Sequence, residues 1–135
     1  MAYNARKIAP TDFKPGTGVG VSIPFSSPGC FSSTYTNKDA TKANLINYFL
    51  TEHGSRCGNP EFGGGLGKFI FEQINSDNLD FLKEDVSSKL NLYFPQVEIT
   101  SLEVTAQEDR NTINVVLDYK ISQTNDIDTL EITLS

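Results

Sequence analysis

The chain has 135 residues, 38% hydrophobic and 21% charged, which is enough for one buried core and too little for two ordinary domains. Eleven Lys and Arg against seventeen Asp and Glu give a formal net charge of -6 with no basic cluster. Nucleic acid is therefore not an expected partner, since neutralising phosphates needs concentrated positive charge. No apolar run approaches the roughly 20 residues that span a bilayer, and MAYNARKIAP lacks the apolar core of a secretory signal, so a soluble, unexported protein without a membrane partner is expected.

Residues 1–37 hold four of the six prolines and four of the ten glycines and keep neither a helical nor a strand period. They are expected to form an extended N-terminal arm ahead of a single α+β domain over 38–135. Val19, Val21, Ile23, Phe25 and Phe31 give this arm apolar side chains that a disordered tether would not need, so part of it should pack on the domain or on a neighbour. From Asp39, the residues Ala43, Ile46, Phe49 and Leu50 fall at helical spacing, which predicts a first helix to about His53 with Gly54 as its stop. The segment GSRCGNPEFGGGLGK then reads as a loop, and Leu66, Phe69, Ile70 and Phe71 suggest one or two further helical turns.

Ser76 or Asp77 can cap the start of a longer helix, in which Leu79, Leu82, Val86, Leu90 and Tyr93 share one face up to the stop at Pro95. Burying five such side chains contributes on the order of 8 to 15 kcal/mol before entropy is counted. Beyond Pro95 the period becomes two. Val97, Ile99, Leu102 and Val104 form a first strand whose phase slips at Thr100 and Ser101, as a bulge would make it do. Residues 108–111 make a polar turn; Ile113, Val115, Leu117, Tyr119 and Ile121 form the second strand, and Leu130, Ile132 and Leu134 the third, after a polar loop over 122–128. The expected architecture is α+β: an N-terminal arm and two to three helices packed on a three-stranded antiparallel C-terminal meander.

Catalytic chemistry finds little support in these residues. Gly63 and Gly67 enclose three residues where a phosphate loop needs four, and Phe69 follows Lys68 where a hydroxyl residue would hold magnesium. His53, the single histidine, is expected at the end of the first helix, where the helix dipole favours a partly cationic ring. With one histidine, no CxxC pair and only Cys30 and Cys57 as thiols, neither a zinc site nor a cysteine nucleophile is expected, and both cysteines read as free. Glu52, Glu61 and Glu72 flank the glycine-rich loop and could form a carboxylate pair, although seventeen acidic residues make some such pair nearly inevitable. Arg56 and Glu61 lie on either side of the bend at Gly58, Asn59 and Pro60, and a local ion pair, which Glu72 could join, is expected to shape the loop, ahead of direct recognition of a partner.

The run Gly54-Ser55-Arg56 through Asn59-Pro60-Glu61-Phe62-Gly63, followed by Leu66 and Phe71-Glu72, resembles the signature of the small baseplate wedge proteins of T-even-type contractile-tailed phages, the gene twenty-five product group, which has relatives in type six secretion baseplates. Leu45 to Thr51 resembles the family's helix before the loop, and Gly20 to Phe25 its N-terminal segment. Tyr93 to Val97 occupies the place of a Glu-Pro-Arg motif, here Phe94-Pro95-Gln96, so the proline stop is kept and both charges are gone. The similarity runs over about residues 18–134. Relatives have also been called lysozyme-like, a description that the residues above do not support.

The resemblance implies a structural, non-enzymatic protein of the virion tail baseplate, without cofactor, assembled in the host cytoplasm at six copies per baseplate. Its implied partners are the tail sheath protein and other wedge subunits, with tail tube or hub proteins nearby. Gly54, Arg56, Pro60, Glu61, Phe62, Gly63, Phe71 and Glu72 would then be structural or wedge-contacting loop residues, and Phe94, Pro95 and Gln96 would dock on the helical core bundle. A short last strand ending at Ser135 is expected to leave an open sheet edge, Thr129, Leu130, Glu131, Ile132, Thr133 and Leu134, onto which the first sheath ring adds strands. Two readings from other classes stand beside this one: a carboxylate-dependent peptidoglycan hydrolase and an adaptor that binds a host factor.

Overall fold

The computed structural model describes residues 16–23, 31–66 and 76–134. Two short strands, β1 (Gly20–Val21) and β2 (Ser33–Thr34), precede helix α1 (Asn37–Leu50). Helix α2 (Ser76–Tyr93) follows, and then the strands β3 (Val97–Gln107), β4 (Thr112–Ile121) and β5 (Ile127–Leu134). The main sheet is an antiparallel meander in the order β3-β4-β5, so the expected α+β architecture is the one observed. Of the short helical stretch expected after the loop, Leu66 is helical and buried; Phe69, Ile70 and Phe71 lie outside the described residues.

Local sequence explains each boundary. Thr36 caps α1, its hydroxyl accepting from the Asp39 amide at 3.3 Å. The helix ends at Leu50 and not at His53, because Thr51 turns to an extended backbone (φ -82°, ψ 127°); its amide makes the last bonds back to Asn47 and Tyr48, and its hydroxyl donates to the Asn47 carbonyl at 2.6 Å. The buried face of α1 keeps the expected Ala43 and Phe49, adds Ala40, Leu45 and Tyr48, and leaves out Leu50. Ala40, Ala43, Leu45, Tyr48 and Phe49 are buried, Ile46 is half-buried, and Leu50 is 53% exposed.

In α2 the expected face holds, with Leu82, Val86 and Leu90 buried and Leu79 and Tyr93 packed at the margin of the same core. The three buried residues contribute about 1.5 to 3 kcal/mol each. Strand β4 alternates without interruption, its Ile113, Val115, Leu117, Tyr119 and Ile121 all facing the core. The register of β3 against β4 shifts between Ile99 and Ser101, where the sequence pattern placed the bulge. Asn111 and Asn125 turn the two hairpins at φ of 50° and 55°, in the left-handed region that asparagine tolerates. Strands β1 and β2 pair antiparallel and lie on α1, so close that a side chain at Gly20 would press on Ala40.

Candidate functional site

The loop between the helices, residues 51–66, is built by backbone closure. Gly54, at φ +83°, donates its amide to Pro60 at 2.8 Å, and Asn59 and Phe62 donate to Arg56 and Asn59 in successive turns. The glycine run then tucks under the end of α1: Gly64 donates to Tyr48 at 2.9 Å, and a Cβ on Gly63 would meet the Thr51 carbonyl. Gly65 is covered by the ring of His53 in the same way. Among the described residues, the Gly64 amide and the faces of Gly63 and Gly65 are taken up by close packing on the end of α1 and on His53.

Phe62 inserts from this loop into a ring cluster made by both helices. It meets Tyr48 edge-on at 5.3 Å and Tyr93 at 5.1 Å, and Tyr48 meets Phe94 at 5.8 Å. Each such pair is worth about 0.5 to 1.5 kcal/mol beyond burial. Arg56 does not pair with Glu61 as expected; its guanidinium lies 4.5 Å above the Phe62 ring, while Glu61 is exposed. Asn59 reaches the Tyr93 hydroxyl at 3.4 Å, so the loop is fastened to α2 as well as to α1. Phe71 and Glu72 of the expected signature lie outside the described residues.

His53 sits beyond the helix end, in the loop. Lys89 of α2 stands 3.4 Å from its Nε2 and 2.7 Å from Asp85, one turn earlier on the same helix. Beneath this cluster the Tyr48 hydroxyl is buried, with no hydrogen-bond partner among the described residues. Burial above all, and then the charges of Asp85 and Tyr93, hold its phenol well above the usual tyrosine range. Glu52 and Glu61 are exposed, and Glu72 is outside the described residues. Among the described residues no three His, Cys, Asp or Glu side chains are placed to hold a metal ion, and no helix is long and apolar enough to cross a membrane. Cys57 is exposed with a free thiol, and Cys30 lies outside the described residues.

The turn at 94–96 divides its three residues. Phe94 is buried in the ring cluster and its carbonyl accepts from Val97, Pro95 is exposed, and the Gln96 carbonyl accepts from Ser122 at 2.9 Å. Of the three, Pro95 and the half-buried Gln96 side chain are open to a partner.

Strand β5 is an edge of the sheet. Ile121 donates to Asp126 at the hairpin, and the register pairs Tyr119, Leu117, Val115 and Ile113 with Asp128, Leu130, Ile132 and Leu134. Hydrogen-bonded pairs alternate in an antiparallel ladder, so these four pairs carry the bonds to β4. Thr129, Glu131 and Thr133 accordingly turn their N–H and C=O groups away from β4. Their side chains are exposed, whereas Leu130 and Ile132 are buried. The opposite edge, β3, carries the bulge and lies against α2.

At the start of β5, Lys42 of α1 stands 3.4 Å from the Asp128 carboxylate and 3.5 Å from the Thr129 carbonyl oxygen. Asp128 also accepts from the Thr129 amide at 3.0 Å and from the Tyr119 hydroxyl at 3.4 Å. Burial, and then the Asp128 charge and hydrogen bond, hold the Tyr119 phenol above its usual range. Sequence reading named the β5 edge and missed this contact, because nothing in the local pattern brings Lys42 to Asp128 across 86 positions.

No family model matches the chain. It is similar to baseplate wedge protein gp25 of Enterobacteria phage T4, with 26% identity over 95 residues that cover 70% of this chain and 72% of that protein. The resemblance carried by the loop residues is borne out by this similarity. Two solved structures share the fold. One is the crystal structure of a candidate tail lysozyme from Geobacter sulfurreducens, with a TM-score of 0.63, 23% identity, and coverage of 76% of this chain and 95% of that one. The other is the cryo-EM structure of the anti-feeding prophage baseplate, with a TM-score of 0.53, 19% identity, and coverage of 83% and 80%.

Proposed function

We propose that this chain is a structural wedge subunit of a contractile-tail baseplate, and that its β5 edge receives a strand from the first ring of sheath subunits. The baseplate role is supported by the similarity to the T4 wedge protein. The observation that carries the sheath contact is the outer flank of β5, where the backbone groups of Glu131 and Thr133 face away from β4 on a strand with no bulge. Main-chain hydrogen bonds worth about 0.5 to 1.5 kcal/mol each give moderate affinity per copy, and six joined copies would multiply it.

The other contacts follow from the same placement. The loop fixes the helices relative to one another and presents Arg56, Pro60 and Glu61 to neighbouring wedge subunits. Docking on a helical core bundle would use Pro95 and Gln96, because Phe94 is committed to the protein's own core. Wedge, tube or hub neighbours are the partners proposed for the N-terminal segment, of which residues 1–15 lie outside the described residues. The protein works as a virion tail component assembled in the host cytoplasm, and it catalyses no reaction. The likeness to a candidate tail lysozyme concerns the fold, and Glu52 and Glu61 stand exposed without a shared partner among the described residues.

Glu131→Pro tests the sheath contact, because it removes an outward N–H while sparing the ladder to β4. Purified baseplates carrying it should fail to start sheath polymerisation although the domain stays folded. Normal sheath growth on them would overturn the proposal. Turnover of peptidoglycan by the purified chain, lost in Glu61→Gln, would favour the hydrolase reading instead.

A further inference from the structure

The outer flank of β5 is open over part of its length only. Thr129, Glu131 and Thr133 all direct backbone groups outward, yet both of those on Thr129 are already engaged by side chains of this chain. Its amide donates to Asp128 Oδ1 at 3.0 Å, and its carbonyl oxygen is 3.5 Å from the Lys42 ammonium. Lys42 and Asp128 are themselves paired at 3.4 Å, and Tyr119 donates to the same carboxylate, so the two caps brace one another from α1 and from the hairpin. No contact of this kind reaches Glu131 or Thr133 among the described residues.

We infer that the Lys42–Asp128 pair is a register stop, which confines an added strand to the outward groups of Glu131 and Thr133 and ends it before Thr129. The inference rests on the reading of β5 as the sheath-facing edge and adds where on that edge the sheath strand sits. A one-residue slip in a ladder turns every side chain to the opposite face, and a two-residue slip shifts the partner by a full repeat of the pleat. Two outward residues separated by one inward residue define a short, phase-fixed landing site. A lysine beside a strand edge also discourages unwanted pairing, so the stop protects the free subunit before assembly. The occupant is an extended segment of the sheath subunit, running beside Glu131 and Thr133, whose next residue along the edge must turn away from the sheet.

Hydrogen exchange resolved to single amides tests this on the full chain, free and bound to purified sheath protein. In the complex the Glu131 and Thr133 amides should slow on the order of tenfold or more, while Thr129 keeps its rate in the free protein. In the charge-neutral double variant Lys42→Met with Asp128→Ala, the slowing should spread to Thr129, and the free variant should self-associate through its uncovered edge. Equal slowing of Thr129, Glu131 and Thr133 in the unsubstituted complex would overturn the stop while leaving the sheath-facing edge intact. No slowing at any of the three would overturn the sheath-facing edge itself, and the stop with it. Should the double variant not fold, the comparison of the three amides in the unsubstituted chain decides alone.

Discussion

Arg56 lies with its guanidinium carbon 4.5 Å from the centroid of the Phe62 ring, and Phe62 in turn fills the space between Tyr48 and Tyr93. The cation thus covers the outer side of a ring whose inner edges belong to the core. Stacking on Phe62, and no carboxylate among the described residues, holds this arginine over the loop.

Arg56→Ala should accordingly lower stability by about 0.5 to 1 kcal/mol, the range of an exposed cation–π contact, and Glu61→Gln should leave it unchanged. Urea denaturation of both variants gives the answer. Equal losses from the two would instead indicate an ion pair between them.

The loop glycines should separate into three grades. Gly63→Ala places a methyl group on the Thr51 carbonyl at a φ of +126° and should cost about 2 kcal/mol or more. Gly54→Ala meets open space at φ +83° and should cost about 1 kcal/mol from the left-handed backbone alone. Gly58 has neither a neighbour within 4 Å nor a positive φ, so Gly58→Ala should be neutral or slightly stabilising. Thermal denaturation of the three variants should reproduce this order.

Alkaline pH should unfold the domain through its two buried phenols. Burial raises the Tyr48 and Tyr119 values in the folded state, with Asp85 and Asp128 adding to it respectively. The folded state then holds protons that the unfolded chain releases above about pH 10, so stability is complete below that pH and falls as pH rises beyond it. Tyr48→Phe should flatten the fall. It should also raise stability near neutral pH by about 1 kcal/mol, because it deletes a buried hydroxyl that has no partner among the described residues. Denaturant midpoints measured across alkaline pH for the parent and for Tyr48→Phe test both effects.

Proline should distinguish the two sides of β5. The Ile132 amide serves the ladder to β4, so Ile132→Pro should cost about 3 kcal/mol or more, whereas Glu131→Pro should cost about 1 kcal/mol or less. Similar melting temperatures for the two would contradict the assignment of inward and outward groups.

The period of apolar residues made the meander and the long helix legible. Leu82, Val86 and Leu90 mark one face by spacing alone, and the phase slip at Thr100 and Ser101 located the bulge. The end of α1 was not legible, because it depends on Thr51 bonding back to Asn47 and on the glycine run reaching the Tyr48 carbonyl from 16 residues ahead. A glycine four residues past a helix looks like its stop, yet Gly54 closes a turn with Pro60 instead. The spacing found Ala43 and Phe49 on the buried face of α1 but set Leu50 there in place of Tyr48, for a related reason. Ile46 and Leu50 are apolar enough to suggest the core, but Tyr48 is the larger ring and Phe62, Tyr93 and Phe94 arrive from distant sequence to surround it. At the candidate site, the signature glycines and Phe62 were identified from the sequence alone. Their task was visible only once the two helices were in place. The Lys42–Asp128 contact joins α1 to the far end of the chain and left no local trace.

The bulge between Ile99 and Ser101 has a consequence for polymers. It twists the border of the sheet that adjoins α2, while the border formed by β5 stays straight. A subunit with two straight borders can stack on copies of itself into an endless ribbon, as heterologous contacts that never close do. This one has one border of unbroken register and one interrupted by the bulge, a mismatch that disfavours an endless ribbon made of its own copies.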